Sequence, residues 1–341
     1  FDQDTDVLAA FGQANYRFTD QLKLSAGIRW TNIRKRGLVT GFTRLFNTPP
    51  APASITIPRA DLPGRFTENA IAPSATLSWQ PSRDLNLFLR YARGDKGGAF
   101  SEFQNVTAAN FILRPEKSDV FEAGVKAQWP SVGGFFSLVA FTTQYSDLQK
   151  SALDINTASF ITSNAAGART RGVELEGGVS PVKGLRLSGS IAYLDAFYTS
   201  WPDGPCRFDN PARLIPGCTQ SRAGDRLQSS PEWTGNVAID YDRPVSNTLR
   251  AFGNATLNFM SDINYQESGS PLEVQPAFSK TDVRLGVGDV NNRWDVALLV
   301  RNLFDVRTSS LIFEVFPVGI GPTDRAHMPD PRRSFTLQGR V

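Results

Sequence analysis

Val7-Leu8-Ala9-Ala10-Phe11-Gly12-Gln13-Ala14-Asn15-Tyr16-Arg17-Phe18, a turn at Thr19-Asp20-Gln21, then Leu22-Lys23-Leu24-Ser25-Ala26-Gly27-Ile28-Arg29-Trp30: this stretch decides the fold. Leu8, Ala10, Gly12, Ala14, Tyr16 and Phe18 share one face, with Phe11, Gln13, Asn15 and Arg17 on the other. After the turn Leu22, Leu24, Ala26, Ile28 and Trp30 return to the first face, opposite Lys23, Ser25, Gly27 and Arg29. A period of two on both sides of a tight link predicts a β-hairpin.

The same alternation recurs down the chain. It predicts strands at Ile71–Gln80, Leu85–Arg93, Glu116–Trp129, Gly134–Leu148, Arg169–Ser180, Leu185–Phe197, Trp233–Tyr241, Leu249–Phe259, Thr281–Val287, Trp294–Asn302 and Arg333–Val341, thirteen with the first two. Tight links at Thr19–Asp20, Pro81–Asp84, Pro130–Gly133, Pro181–Lys183, Asp242–Asn247 and Val290–Asn292 alternate with connections of roughly 15 to 40 residues, far above the usual loop length. One short-turn rim, one long-loop rim and an apolar outward face are the layout of an outer-membrane β-barrel. Ligand capture then belongs to the long-loop rim and the lumen.

Composition narrows the classes. Hydrophobic residues make up 40%, charged residues 20%, and the formal charge is +3, which argues against a disordered tail and shows no bias toward nucleic acid. Phe is abundant, at 24 against 7 Tyr and 6 Trp, as suits strands and bilayer interfaces. The longest apolar run, Phe135 to Phe141 with Ser137 inside it, is strand-sized, so a helical membrane protein is excluded. Phe1-Asp2-Gln3-Asp4-Thr5-Asp6 has neither a basic start nor an apolar core, and the expectation is a chain that begins after removed material.

Charge placement fits a barrel. Arg17, Arg29, Arg90, Glu122, Lys126, Glu174, Glu176, Arg186 and Arg301 fall on the inner face, whereas Lys117, Asp119 and Arg333 fall outward only at strand ends. A Lys or Arg at the bilayer midplane of the lipid face costs about 2 to 4 kcal/mol. Soluble sandwiches also alternate, and Trp79, Trp129, Trp233 and Trp294 would then be core residues. Against that reading stand the uniform strand length, the loop asymmetry and the outward rings expected beside the short-turn ends. Thirteen antiparallel strands cannot close without one parallel pairing, and bacterial barrels are even-numbered, so the expectation is the C-terminal part of a larger barrel.

Arg293-Trp294-Asp295-Val296-Ala297-Leu298-Leu299-Val300-Arg301-Asn302-Leu303-Phe304-Asp305 resembles the penultimate strand of TonB-dependent outer-membrane receptors, and Pro331-Arg332-Arg333-Ser334-Phe335-Thr336-Leu337-Gln338-Gly339-Arg340-Val341 resembles their last. Arg114-Pro115-Glu116-Lys117-Ser118-Asp119, Arg171-Gly172-Val173-Glu174-Leu175-Glu176 and Ser230-Pro231-Glu232-Trp233 add to the likeness, which covers essentially the whole chain. The resemblance implies a 22-stranded barrel with a plug domain in the lumen, of which residues 1–341 supply about thirteen strands. Plug, TonB-contacting segment (TonB box) and roughly nine strands are then missing from the N-terminal side. Where the family usually ends in an aromatic residue, this sequence stops at Val341. It further implies uptake of a ferric siderophore, haem, cobalamin or glycan, energised by the TonB complex through the missing N-terminal region. Ferric siderophore is the first choice; carbohydrate or another scarce nutrient, or a passive porin or surface-binding barrel, are the alternatives.

Several residues are candidates for the site. Arg34, Lys35, Arg36, Arg44, Arg59 and Arg65 crowd the first long connection, Thr31–Asn69, and suit either an anionic small-molecule ligand or lipopolysaccharide phosphates. Phe42, Phe46, Phe100, Phe103, Phe111, Phe160, Trp201, Phe208, Phe313 and Phe316 are loop aromatics available to stack on a ligand or to pack the loops together. Arg90, Glu122, Lys126, Glu174, Glu176 and Arg186 form the expected lumen wall, as a ligand surface, as plug contacts, or as salt bridges such as Glu176 with Arg186. Cys206 and Cys218, the only cysteines, are expected to pair in an oxidising compartment, with two free thiols as the alternative. His327 is the only histidine, so neither a metal site nor a cofactor is expected. No Gly-rich phosphate loop or Ser-His-Asp arrangement is present, and Glu174 with Glu176 is one mixed-charge face among several rather than a glycosidase pair, so no catalytic residue is assigned.

Overall fold

In the computed structural model all thirteen expected segments are strands of one antiparallel sheet. The structure describes the chain apart from residues 41, 46–54, 59–60, 102–109, 155–158, 165–166, 214, 216–217 and 316–323. The strands are β1 (Asp2–Arg17), β2 (Leu22–Val39), β3 (Leu62–Ser82), β4 (Leu85–Lys96), β5 (Glu116–Trp129), β6 (Gly134–Ser146), β7 (Gly167–Val182), β8 (Leu185–Ser200), β9 (Trp233–Pro244), β10 (Leu249–Met260), β11 (Phe278–Asp289), β12 (Asp295–Arg301) and β13 (Ser334–Arg340). Each pairs with its neighbours in sequence, and β1 does not pair with β13. Being both odd-numbered in a meander, these two edge strands run in the same direction.

Cross-strand register sorts the faces. Leu24, Leu77, Leu89, Ala123, Ala140, Val173, Tyr193 and Trp233 lie opposite one another across eight strands and make one apolar row. The inner row three residues nearer the short turns runs Asn86, Lys126, Ser137, Glu176, Ser190, Asn236 and Asn258. Large apolar residues on the first kind of row are exposed, Leu89 at 60% and Leu337 at 76%. Such a surface is stable facing hydrocarbon and costly facing water.

Outward rings mark both edges of the apolar band. Tyr16, Phe18, Trp79, Trp129, Tyr241 and Trp294 lie beside the short turns. Trp30, Tyr91, Phe121, Tyr193 and Trp233 lie toward the loops, Tyr193 and Trp233 with centroids 4.9 Å apart. Trp233 therefore belongs to the loop-side girdle and not to the short-turn side, because β9 starts at the long-loop rim. Beyond this girdle outward charges come with partners: Arg93 donates to Asp119 at 2.9 and 3.0 Å, Tyr91 donates to the same carboxylate at 2.7 Å, and Arg171 donates to Asp195 at 2.9 Å.

Strands run further toward the loops than alternation alone predicts. β2 and β3 stay paired from Leu22–Trp79 to Val39–Leu62, so both ends of the predicted first loop, Thr31–Val39 and Leu62–Asn69, are strand. The inner face also carries rings. Phe88, Phe135, Phe141 and Phe252 each lie opposite a glycine of the next strand, Gly124, Gly178, Gly172 and Gly286, and a Cβ on those glycines would fall within about 3 Å of the ring. The glycines let the rings lie flat on the wall.

The last strand is clasped by the residues of its own motif. Asn302 donates to Val306 O and accepts from Val306 N, both at 2.9 Å, closing the turn after β12. Asp305 accepts from Arg332 Nε at 2.8 Å and from the Arg333 N–H at 3.1 Å, just before β13.

Candidate functional site

The long connections form a chain of mutual contacts around the rim. Phe100 and Phe111 stack with centroids 4.8 Å apart, and Phe66 of β3 meets Phe100 edge-on. Lys35 of β2 donates to Gly98 O at 2.7 Å, and Gly98 N donates to Glu68 Oε2 at 2.9 Å. These contacts tie the β4–β5 connection to β2 and β3. That connection is tied onward by Arg114, which donates to Asp147 at 2.7 and 3.0 Å, and by Asn164, which donates to Arg114 O at 2.9 Å.

Next comes Glu267. Its Oε1 accepts from Tyr198 OH at 2.7 Å and pairs with Lys150 Nζ at 2.5 Å, joining the β6–β7, β8–β9 and β10–β11 segments. Arg222 reaches Glu267 O and Asp225 while its guanidinium sits over Trp201, and Phe208 N donates to Ser268 O at 2.7 Å. Cys206 and Cys218 are disulfide-bonded in the same connection, Cα atoms 5.7 Å apart. Finally Tyr265 OH donates to Ser309 O at 2.7 Å, and Gln266 Nε2 to Ile312 O at 3.2 Å, bringing in the β12–β13 connection. A long loop alone buries too little to be ordered; these contacts supply satellite packing.

The predicted site residues divide. Phe100 and Trp201, expected among ring surfaces available to a ligand, are 4% and 5% exposed and instead form the small cores that hold the loops. Their apolar area is already taken up by neighbouring chain. Phe208 is exposed, with Arg213 over its ring at 5.2 Å, and Phe313 is half-buried. Arg34 and Arg36 are on β2, not in a loop, and lie on its outward face opposite Asp6 and Asp4, because the strand continues past the girdle. Lys35 takes the inward position. Arg44 is in the short strand Phe42–Leu45, paired with Ile55–Pro58; its side chain, like those of Phe42 and Phe160, lies outside the described residues, as do Phe46, Arg59, Phe103 and Phe316.

On the wall, Arg90 of β4 and Glu122 of β5 form an ion pair at 3.0 Å. Lys126 caps the Phe88 ring at 5.7 Å. Glu176 does not pair with Arg186: it stands opposite Ser137 and Ser190, while Arg186 stands opposite Asp240 and over Phe135 at 5.6 Å. Arg186 lies four residues along β8 from Ser190, the residue that faces Glu176. Glu174 and Glu176 make no ion pair among the described residues, and no group of three or more His, Cys, Asp or Glu is arranged there to hold a metal. A ring–cation pattern on the inner wall was missed because period-two reading sorts faces without asking which rings sit inside. Phe–Gly pairing across strands is the signal that finds it.

A family model described as TonB dependent receptor-like, beta-barrel, matches residues 1–303. The metal-pseudopaline receptor CntO of Pseudomonas aeruginosa strain UCBPP-PA14 is 24% identical over 306 residues, which is 89% of this chain and 38% of CntO. Among solved structures, the ferric yersiniabactin uptake receptor FyuA from Yersinia pestis superposes with a TM-score of 0.76 at 16% identity, covering 99% of this chain and 46% of FyuA. The siderophore receptor PiuA from Acinetobacter baumannii gives 0.69 at 17% identity over 99% and 43%. The structural likenesses establish the fold, and the chain spans less than half the length of these relatives.

Proposed function

This chain belongs to the TonB-dependent receptor β-barrel family of the outer membrane, and from that premise we propose that the whole protein imports a scarce nutrient, with a ferric siderophore as its substrate. The supporting observation for a metal chelate is that CntO, FyuA and PiuA are all named for metal–chelate or siderophore receptors. The open thirteen-stranded sheet supports a larger barrel in which further strands bridge β1 and β13, with a plug in its lumen and a TonB-contacting segment on the N-terminal side. The long loops face the exterior, as in outer-membrane barrels generally, and lipopolysaccharide surrounds their base.

Capture belongs to the exposed parts of the rim. Phe208 with Arg213 offers a ring and a cation on the disulfide-bonded connection, a pairing suited to the flat, anionic face of a chelate. Phe313 stands on the β12–β13 connection. The test is a binding panel on the intact protein in detergent, with ferric siderophores and each metal-free ligand side by side. Saturable binding that depends on Fe(III), weakened by Phe208→Ala, is expected. Iron-independent binding of a sugar would move the substrate class, and conductance without saturable binding would mean a passive pore.

A further inference from the structure

Just beyond the loop-side girdle the outward face carries a charged belt, and part of it is not neutralised within the chain. Outward positions of β4 to β8 form two rows there: Tyr91, Phe121, Thr142, Arg171 and Asp195, then Arg93, Asp119, Gln144, Arg169 and Phe197. One row further, Lys117 stands opposite Asp95. Asp119 is fully engaged, since both its oxygens accept from Arg93 and one also accepts from Tyr91. Asp195 is only half used: Arg171 Nε and Nη2 both lie 2.9 Å from its Oδ2, which leaves Asp195 Oδ1 and Arg171 Nη1 without partners among the described residues. Arg169 meets no carboxylate there, and its Nε donates to Gln144 Oε1 at 3.0 Å. Both arginines are exposed.

In the larger barrel a plug would occupy the lumen and further strands would join β1 and β13, but the outward face of β7 borders neither, having β6 and β8 on its two sides. What it borders is the lipid headgroup layer. Asp195, opposite Arg171, is two residues past the girdle ring Tyr193, roughly 7 Å along the strand. A guanidinium at this height has left the hydrocarbon, and its planar donors match phosphate oxygens. Phe197, with the Arg171 guanidinium 5.9 Å from its ring centre, lines an open recess of about 290 Å³ together with Asp195, Gly224, Arg226 and Glu232. Arg226 is paired with Glu232 at 3.5 Å and donates to Ser230 O at 3.0 Å, so the recess adds no unpaired cation. A ring face beside carboxylate acceptors suits a sugar and its hydroxyls, and the adjoining arginines suit a phosphate carried on that sugar.

We propose that this outward patch of β7 and β8 seats the phosphosugar headgroup of one lipopolysaccharide molecule, its phosphate accepting from Arg169 and from Arg171 Nη1 and a sugar hydroxyl donating to Asp195 Oδ1. The seat rests on the outer-membrane placement of the barrel and not on its substrate, so siderophore binding and lipid binding fail or persist separately. The test is native mass spectrometry of the intact protein in detergent with lipid A, with dephosphorylated lipid A and with phosphatidylglycerol, each at the same concentration. Lipid A should be retained in preference to the other two, about tenfold less in Arg169→Met and in Arg171→Met, the loss of roughly one charge-assisted hydrogen bond each. Arg17→Met, on the inner face of β1, should leave retention unchanged. Since Arg171→Met also releases Asp195, a second measurement uses the unmodified protein: lipid A, but not inorganic phosphate, should protect Arg169 and Arg171, and not Arg17, from an arginine-selective reagent read by mass spectrometry. Equal retention of phosphatidylglycerol or of dephosphorylated lipid A, retention untouched by both substitutions, or protection spread evenly over the three arginines would overturn the seat.

Discussion

Asn302 and Asp305 both have positive φ, 49° and 55°, a conformation that Asn and Asp adopt more readily than other side chains. That explains why a polar residue stands at each end of Asn302-Leu303-Phe304-Asp305: one closes the turn, the other grips the approach to β13. The Arg332 guanidinium beside Asp305, helped by the Arg333 N–H, holds its carboxyl well below the usual carboxylate range. A depressed folded-state pKa contributes stability that is present above the unfolded value, about pH 4, and is lost as pH falls below it. Acid unfolding followed by tryptophan fluorescence should therefore be less steep below about pH 4 in Asp305→Asn than in the unmodified protein. A second residue-scale outcome concerns Gly124, where a Cβ would meet the Phe88 ring at 2.5 Å. Gly124→Val should cost about 1–3 kcal/mol through overpacking, read as a lower urea midpoint. An unchanged midpoint would show that Phe88 swings away freely.

Strands were the most legible elements. Glu116–Trp129 agrees with its expected bounds at both ends, since Phe121, Ala123, Val125 and Ala127 alternate without interruption between Pro115 and Pro130. Elsewhere polar residues hid strand. Asn32, Arg34 and Arg36 continue the outward face of β2, yet above the girdle that face meets water, and the apolar signal used to trace it stops at Trp30. The fastening of the loops was not legible at all. Tyr198 to Glu267 and Gln266 to Ile312 join residues 69 and 46 apart, and nothing in local spacing records such pairings. Hence the packing fate of Phe100 and Trp201 was beyond a reading by loop membership. The lipid-facing assignment of the strands themselves is testable: Leu298→Arg should cost about 2–4 kcal/mol in bilayer-embedded protein, while Ser188→Arg, on the inner face of β8, should cost far less. Spin labels at Leu187, Leu257 and Leu298 should likewise be shielded from aqueous quenchers.

Taken whole, the molecule is a lipid-facing wall with its connections laced together along one rim. Glu267 is the junction of that lacing, with side-chain exposure of 8% and Lys150 and Tyr198 both on one oxygen. Glu267→Gln leaves Lys150 without its counter-charge and should cost about 3 kcal/mol, the lower end for removing one partner of a buried ion pair. Hydrogen exchange should then quicken together in Gln149–Asp154, at Gly204 and in Ile263–Asn264, with β5 to β8 unaltered below the girdle. Quickening confined to one of these would mean that the segments open separately. Loops joined in this way give up their independence. An antibody fragment that grips the exterior near Arg114 would stiffen the far side of the mouth near Ser309, and whatever docks at one connection would be felt by reporters placed on all the others.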